Sequence, residues 1–206
     1  MPRPRPHDDA LRASLVELAS RTIADGGTRA LSLRTLAAAA GTTTAAVYTL
    51  FGGRDGLVRA VVDEGFRRFA DRLAAVPRTG DPGADLFALG LAYRDNALAN
   101  PHFYRVMFAP APGEDTPPTT EVPTLVRPTF GVLRDAVARL PHVPDAEELA
   151  LRLWSLVHGL VSLELAGLLP GTPEERCRRY AQTLRGTRLH ADRRGPSDED
   201  VVAGDK

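Results

Sequence analysis

The stretch from Leu31 to Leu57, LSLRTLAAAAGTTTAAVYTLFGGRDGL, constrains this chain more than any other. Ser32 is a good helix N-cap, because its hydroxyl accepts a backbone N–H that the first turn leaves unpaired. Behind it Leu33, Leu36, Ala37 and Ala40 recur on one helical face. Gly41 supplies the backbone freedom that ends a helix and starts a tight turn. Thr43 then caps a second short helix, in which Val47, Leu50 and Phe51 point inward and Thr44, Ala45, Tyr48 and Thr49 point outward. Two short helices joined by a Gly-bearing turn form the helix-turn-helix pattern, whose second helix enters the DNA major groove. The outward face suits that task, being small, hydroxylated and uncharged, with one phenol able to reach a phosphate. Other small helical hairpins share part of the pattern, so the order of further features decides.

That order is Ser32-Leu33-Arg34, Ala40-Gly41, Thr43, Val47-Tyr48, Phe51, Gly52-Gly53, Arg54-Asp55 and Leu57. It resembles the DNA-binding domain of the tetracycline-repressor-like (TetR) family. Leu50 departs from the family, which usually has a polar or aromatic residue there. Gly52-Gly53 replaces the usual Pro-Ser or similar, which predicts a looser join to the next helix. The DNA-binding set is Ser32, Arg34, Thr42, Thr43, Thr44, Ala45, Tyr48, Thr49 and Arg54. Thr43, Thr44, Ala45 and Thr49 are expected at base edges, and Ser32, Arg34, Tyr48 and Arg54 at phosphates.

At a typical ~150 residues per domain, a chain of 206 residues suits one sizeable domain or two smaller ones. Its 43% apolar and 25% charged residues are those of a soluble globular protein. No run approaches the roughly 18 apolar residues of a membrane span, and residues 1–7 lack the apolar stretch of a secretory signal. The single Cys177 forms no internal disulfide, so a reducing, cytoplasmic setting is expected. Net charge is zero, and residues 1–55 hold seven Arg against five acids, which excludes a general basic coat. A sequence reader needs only a few well-placed Arg if two copies act together.

The expected organisation is all-α, with a helix-turn-helix domain over 8–54, a helical ligand-binding and dimerisation domain over 55–185, and a disordered tail over 186–206. Residues 1–7 read as an extended arm in which Arg3 and Arg5 are minor-groove candidates. Asp8 opens the first helix, which ends at Gly26-Gly27. A long helix runs from Asp55 towards Pro77, and the segment from Ala84 to Ala99 is apolar nearly all round, which predicts a central buried helix. Asn100-Pro101 reads as a cap with Pro in the first helical position. APAPGEDTPPTT over 109–120 is a loop by composition. Further helices are marked by Val126 to Leu140, by the capping box Asp145-x-x-Glu148, and by Thr172-Pro173-Glu174-Glu175, the last ending near Arg185.

Trp154 and His158 stand an i, i+4 step apart on one helical face. They read either as core neighbours or as the lining of a ligand cavity. Trp154-x-x-x-His158-Gly159 also resembles the Trp-x-x-x-His-Gly signature of one TetR subgroup, as does Asn100-Pro101 through Met107-Phe108. Phe87, Leu91, Arg94, Tyr104, Phe108, Phe130, Trp154 and His158 are the candidate ligand residues, mostly aromatic and aliphatic with a few polar groups. The resemblance, which covers roughly 8–185, implies a ligand-responsive repressor on double-stranded operator DNA, released by a small apolar or aromatic inducer. It also implies a homodimer paired through the last two helices, with Leu156, Leu160, Leu163, Tyr180 and Leu184 as candidate contacts. The alternatives are an activator on the same fold, or a helical interaction protein without DNA binding. An enzyme is not expected. The residues three before the five histidines are Pro4, Ala99, Arg139, Ser155 and Thr187, so the carboxylate that a helical di-iron site needs is missing. No catalytic, metal or cofactor residue is assigned, and no membrane partner.

Overall fold

The computed structural model describes the backbone of residues 6–109 and 127–191. Among them every regular element is helical: α1 Pro6–Gly26, α2 Leu33–Ala39, α3 Thr44–Phe51, α4 Arg54–Ala74, α5 Pro82–Ala99, α6 Pro101–Met107, α7 Arg127–Val137, α8 Ala146–Leu165 and α9 Pro173–Ala191. A 3-10 turn at Thr28–Ala30 joins α1 to α2. Arg3, Arg5, residues 110–120 of the expected loop and the tail from 192 lie outside the described residues.

Local signals explain most boundaries. Asp145 accepts from the backbone N–H of Glu147 and Glu148, at 3.0 Å each, and so opens α8. Glu148 turns to Arg152 (2.8 Å), so only half of the expected capping box forms. The full box is at the start of α9, where Thr172 accepts from Glu175 N–H (3.3 Å) and the Glu175 carboxylate accepts from Thr172 N–H (2.9 Å). Helix α9 then continues through Gly186 to Ala191, beyond the expected end near Arg185. Asn100 occupies the cap position of α6 without a side-chain cap bond. Its amide donates back to the Asn96 carbonyl (3.2 Å), and its oxygen accepts from Arg68 (3.1 Å). Pro101 takes the first helical position, where a backbone N–H would have had no partner within the helix.

The chain divides into two compact units: Met1–Ala75 with Asp95–Thr129, and Val76–Arg94 with Phe130–Lys206. Helix α5 contributes to both. It is not buried all round: Leu89, Ala92 and Tyr93 are buried, Leu86, Phe87 and Leu91 half-buried, and Leu98 exposed. Its buried set also includes Asp85, Arg94 and Asn96, polar groups that need partners.

In the first unit, Leu15, Val16, Ala19 and Ile23 of α1 pack with Leu36, Ala37, Val47, Phe51, Leu57 and Val61. Phe103 and Val106 of α6 join the same core. Gly65 lets α4 and α6 approach closely, since a Cβ there would lie 2.6 Å from Met107. Arg68 ties three helices together. Its guanidinium stacks 4.2 Å from the Phe103 ring and donates to Glu64 (2.7 Å), Asn100 and Glu17. Glu64 also takes a fork from Arg67, at 2.7 and 2.8 Å. The Arg67 bonds first, then those of Arg68, outweigh partial burial and hold the Glu64 carboxyl at about 2 rather than 4.5.

A depressed carboxyl pKa stabilises the fold above the ordinary value, and that contribution is lost as pH falls from 4.5 towards about 2. Urea midpoints should therefore fall across that window, and less steeply in Glu64→Gln. Equal slopes in both proteins would remove Glu64 from the account of acid unfolding.

In the second unit, buried Phe130, Ala136, Val137, Ala150, Val157, Val161 and Tyr180 form an apolar interior. Asp85 accepts from the Thr79 hydroxyl (2.6 Å) and backbone N–H, and from Arg139 (2.7 Å). Those bonds, the Thr79 hydroxyl foremost, keep its carboxyl below the usual range.

Candidate nucleic-acid interface

Helices α2 and α3 form the candidate reader, and their geometry follows from a few residues. Ser32 accepts from Thr35 N–H (3.4 Å) at the start of α2. Gly41, at φ 64, reverses the chain after Ala40. Thr43 caps α3 by accepting from Ala46 N–H (3.2 Å). Val47 and Phe51 face the core, as their spacing predicts, and Leu50 packs against it half-buried. Ala45, Tyr48 and Thr49 are exposed away from that face, while Thr44, three residues before Val47, is half-buried. Tyr48 exposes 56% of its surface, high for so large an aromatic.

The join from α3 to α4 differs from the loose one expected. Gly52 closes α3 in the left-handed conformation (φ 72), donating its N–H to the Tyr48 carbonyl at 2.8 Å. Gly53 follows at φ 118, and a Cβ there would sit 3.3 Å from the Tyr48 ring. Both glycines thus fix a tight turn. Gly56, in the first turn of α4, lies so close to α3 that an added Cβ would overlap the Phe51 carbonyl oxygen. The only mark of Gly56 in the sequence is its place as an isolated glycine within a helical pattern, which usually has a packing reason.

The expected phosphate residues stand as follows. Ser32, Arg34, Tyr48 and Arg54 are all exposed, and Thr42 is half-buried. Arg54 donates to the Thr28 carbonyl, tying the start of α4 to the turn after α1. Nothing in the local pattern marks that pair, 26 residues apart.

The expected ligand residues fall in both units. In the first, Tyr104 and Phe108 meet edge-on at 5.0 Å, with Phe66 6.0 Å from Phe108. In the second, Phe130 and Trp154 lie 5.9 Å apart and Trp154 and His158 6.2 Å apart. Tyr93 shares a 3.0 Å hydrogen bond with His158 Nδ1, and burial lowers the His158 pKa. Arg94 spends Nε and Nη2 on a fork to Glu164, at 2.7 Å each. Phe87 lies under the Arg185 guanidinium at 4.8 Å, and Leu91 is half-buried.

Of the expected dimer residues, Leu163 is exposed and Leu156 and Leu160 are half-buried. Tyr180 is buried and donates to the Gly90 carbonyl (2.7 Å), while Leu184 packs on Gly90. No helix among the described residues is long and apolar enough to cross a membrane.

Residues 15–61 match the family of bacterial regulatory proteins named tetR, and residues 86–186 match the tetracyclin repressor-like C-terminal domain. A solved structure described as that of a regulatory protein, SCO4313, is 31% identical, covers 89% of this chain and 100% of its own, and superposes with a TM-score of 0.69. The HTH-type transcriptional regulator Rv1816 of Mycobacterium tuberculosis is 29% identical over 77% of this chain and 82% of its own. The fatty acid degradation regulator FadR from Bacillus halodurans shares the fold, with a TM-score of 0.72 at 14% identity over 90% of this chain and 97% of its own.

Proposed function

We propose that this chain, which belongs to the TetR family of DNA-binding transcriptional regulators, is a repressor that binds a palindromic operator as a homodimer and is released by a small apolar or aromatic molecule. The observation that carries this reading is the capped, Gly-turned pair α2–α3 with an exposed outward face on α3. Thr43, Thr44, Ala45 and Thr49 face base edges. Ser32, Arg34, Tyr48 and Arg54 hold phosphates, and phosphate contacts set register without reading sequence.

One reader covers few base pairs, and a two-fold pair reads half-sites about 34–36 Å apart or a multiple of that. Helix α8 offers the pairing surface. Leu151, Ser155, Gly159 and Leu163 follow one another at i, i+4 spacing, with the two leucines 43% and 42% exposed. A Cβ at Gly159 would meet nothing, so a second helix can come close there. Tyr180 and Leu184 turn instead to Gly90 of α5 within their own chain. For the inducer, Trp154, Phe130 and His158 supply an aromatic wall with one polar group, the mixture ligand sites use. They also support placement in the Trp-x-x-x-His-Gly subgroup. Arg94 and His158 are the candidate orienting groups, the first bonded to Glu164 and the second to Tyr93.

Light scattering of the native chain at micromolar concentration should give a dimer mass, and gel shifts should show a complex with a palindromic duplex selected by the chain. Apolar and aromatic compounds added to that complex should include ones that release it. Leu163→Arg should give a folded monomer with operator affinity reduced more than ten-fold, since a charge buried in an apolar interface costs several kcal/mol, at ~1.4 kcal/mol per ten-fold. A native monomer, or a Leu163→Arg dimer, would refute the pairing.

A further inference from the structure

We propose that the operator is read chiefly through the C5-methyl groups of thymine, with Ala45 and Thr49 as the specificity-determining residues. This deepens the DNA-binding reading above and rests on it.

Each base asks for a particular partner in the major groove. Guanine takes two donors from Arg or Lys, adenine takes a side-chain amide, and cytosine takes a carboxylate. Helix α3, TAAVYTLF, carries none of these side chains. Its hydroxyls are partly engaged within the helix. Thr43 accepts from Ala46 N–H at 3.2 Å, and Thr49 donates to the Ala45 carbonyl at 3.0 Å. A threonine hydroxyl has one donor hydrogen, so that of Thr49 is spent. With no donor left at either position, Ala45 and Thr49 each present a methyl, and Thr49 an accepting oxygen besides, on two exposed residues one helical turn apart. The Tyr48 ring sits over Gly53, towards the turn into α4, and Arg34 belongs to α2. Of the four base-facing residues, Ala45 and Thr49 therefore pair best with the one apolar group on the groove floor, the thymine methyl. Burying a methyl is worth roughly four-fold in affinity.

The test begins with selection of duplexes by the full chain from a random pool. Each thymine of the selected site is then replaced singly by deoxyuridine, which lacks only the C5-methyl. At least one thymine per half-site should lose about four-fold in affinity when replaced. That loss should shrink towards none in Thr49→Ser, which keeps the hydroxyl bond and removes the methyl, or in Ala45→Gly. A selected site indifferent to deoxyuridine, or one weakened more by 7-deazaguanine, would overturn the inference while leaving DNA binding intact. Failure to enrich any duplex would instead overturn the DNA-binding reading, and the inference with it.

Discussion

Glu164→Ala lowers the stability of the second unit by about 3–5 kcal/mol, the cost of leaving one member of a buried ion pair alone. Arg94 and Glu164 are 8% and 6% exposed at their side chains and meet in a two-pronged fork. Arg176 approaches the same carboxylate at 3.4 Å, and the Arg94 guanidinium lies 5.8 Å from the Tyr180 ring. Removing the carboxylate leaves two guanidinium groups near one another with their shared anion gone. For a chain of this length the unfolding midpoint should fall on the order of 10 °C. The double variant Arg94→Met with Glu164→Leu should recover most of the loss, because an apolar pair avoids the desolvation that the ion pair must offset. If Glu164→Ala melts with the native protein, the pair contributes nothing to stability.

Gly56→Ala should damage the DNA reader more than any substitution on its outward face. The new Cβ would overlap the Phe51 carbonyl oxygen, a backbone atom that no rotamer change can move. Either α3 or the first turn of α4 must shift, at about 1–3 kcal/mol for an overpacked contact. A shift of α3 also moves Ala45, Tyr48 and Thr49 together, so operator affinity should fall along with the stability of the first unit. Gly52→Ala separates strain from collision. There the Cβ meets nothing, and the cost is the left-handed conformation alone, about 1–2 kcal/mol. Paired measurements of melting and operator affinity should therefore rank Gly56→Ala the more harmful to binding. The opposite ranking would show that the close approach of α3 and α4 is not what positions the reader.

The reader was legible because its determinants are local. Ser32 and Thr43 cap within three residues, Gly41 turns in place, and Val47 and Phe51 mark the inner face. Elsewhere distant partners override the local pattern. Asn100 sits where a cap belongs, but Arg68 and Asn96 take its side chain. The apolar run of α5 suggested burial on all sides, yet Leu98 is exposed and Arg94 and Asp85 are inside. Gly52-Gly53 suggested looseness, and both glycines serve a tight turn with positive φ.

The sequence by itself determined what depends on neighbours three or four residues away: helix spacing, caps, the Gly turns and the uncharged outward face of α3. Only the tertiary structure decided which distant groups meet. Arg68 with Glu17, Arg94 with Glu164 and Tyr180 with Gly90 are separated by 51, 70 and 90 residues. A helical repeat states which face of a helix is turned inward, because its period is fixed by the backbone. It carries no record of which other helix will lie there, so partners for buried charges are settled only when the helices pack and each polar group taken from water must find one.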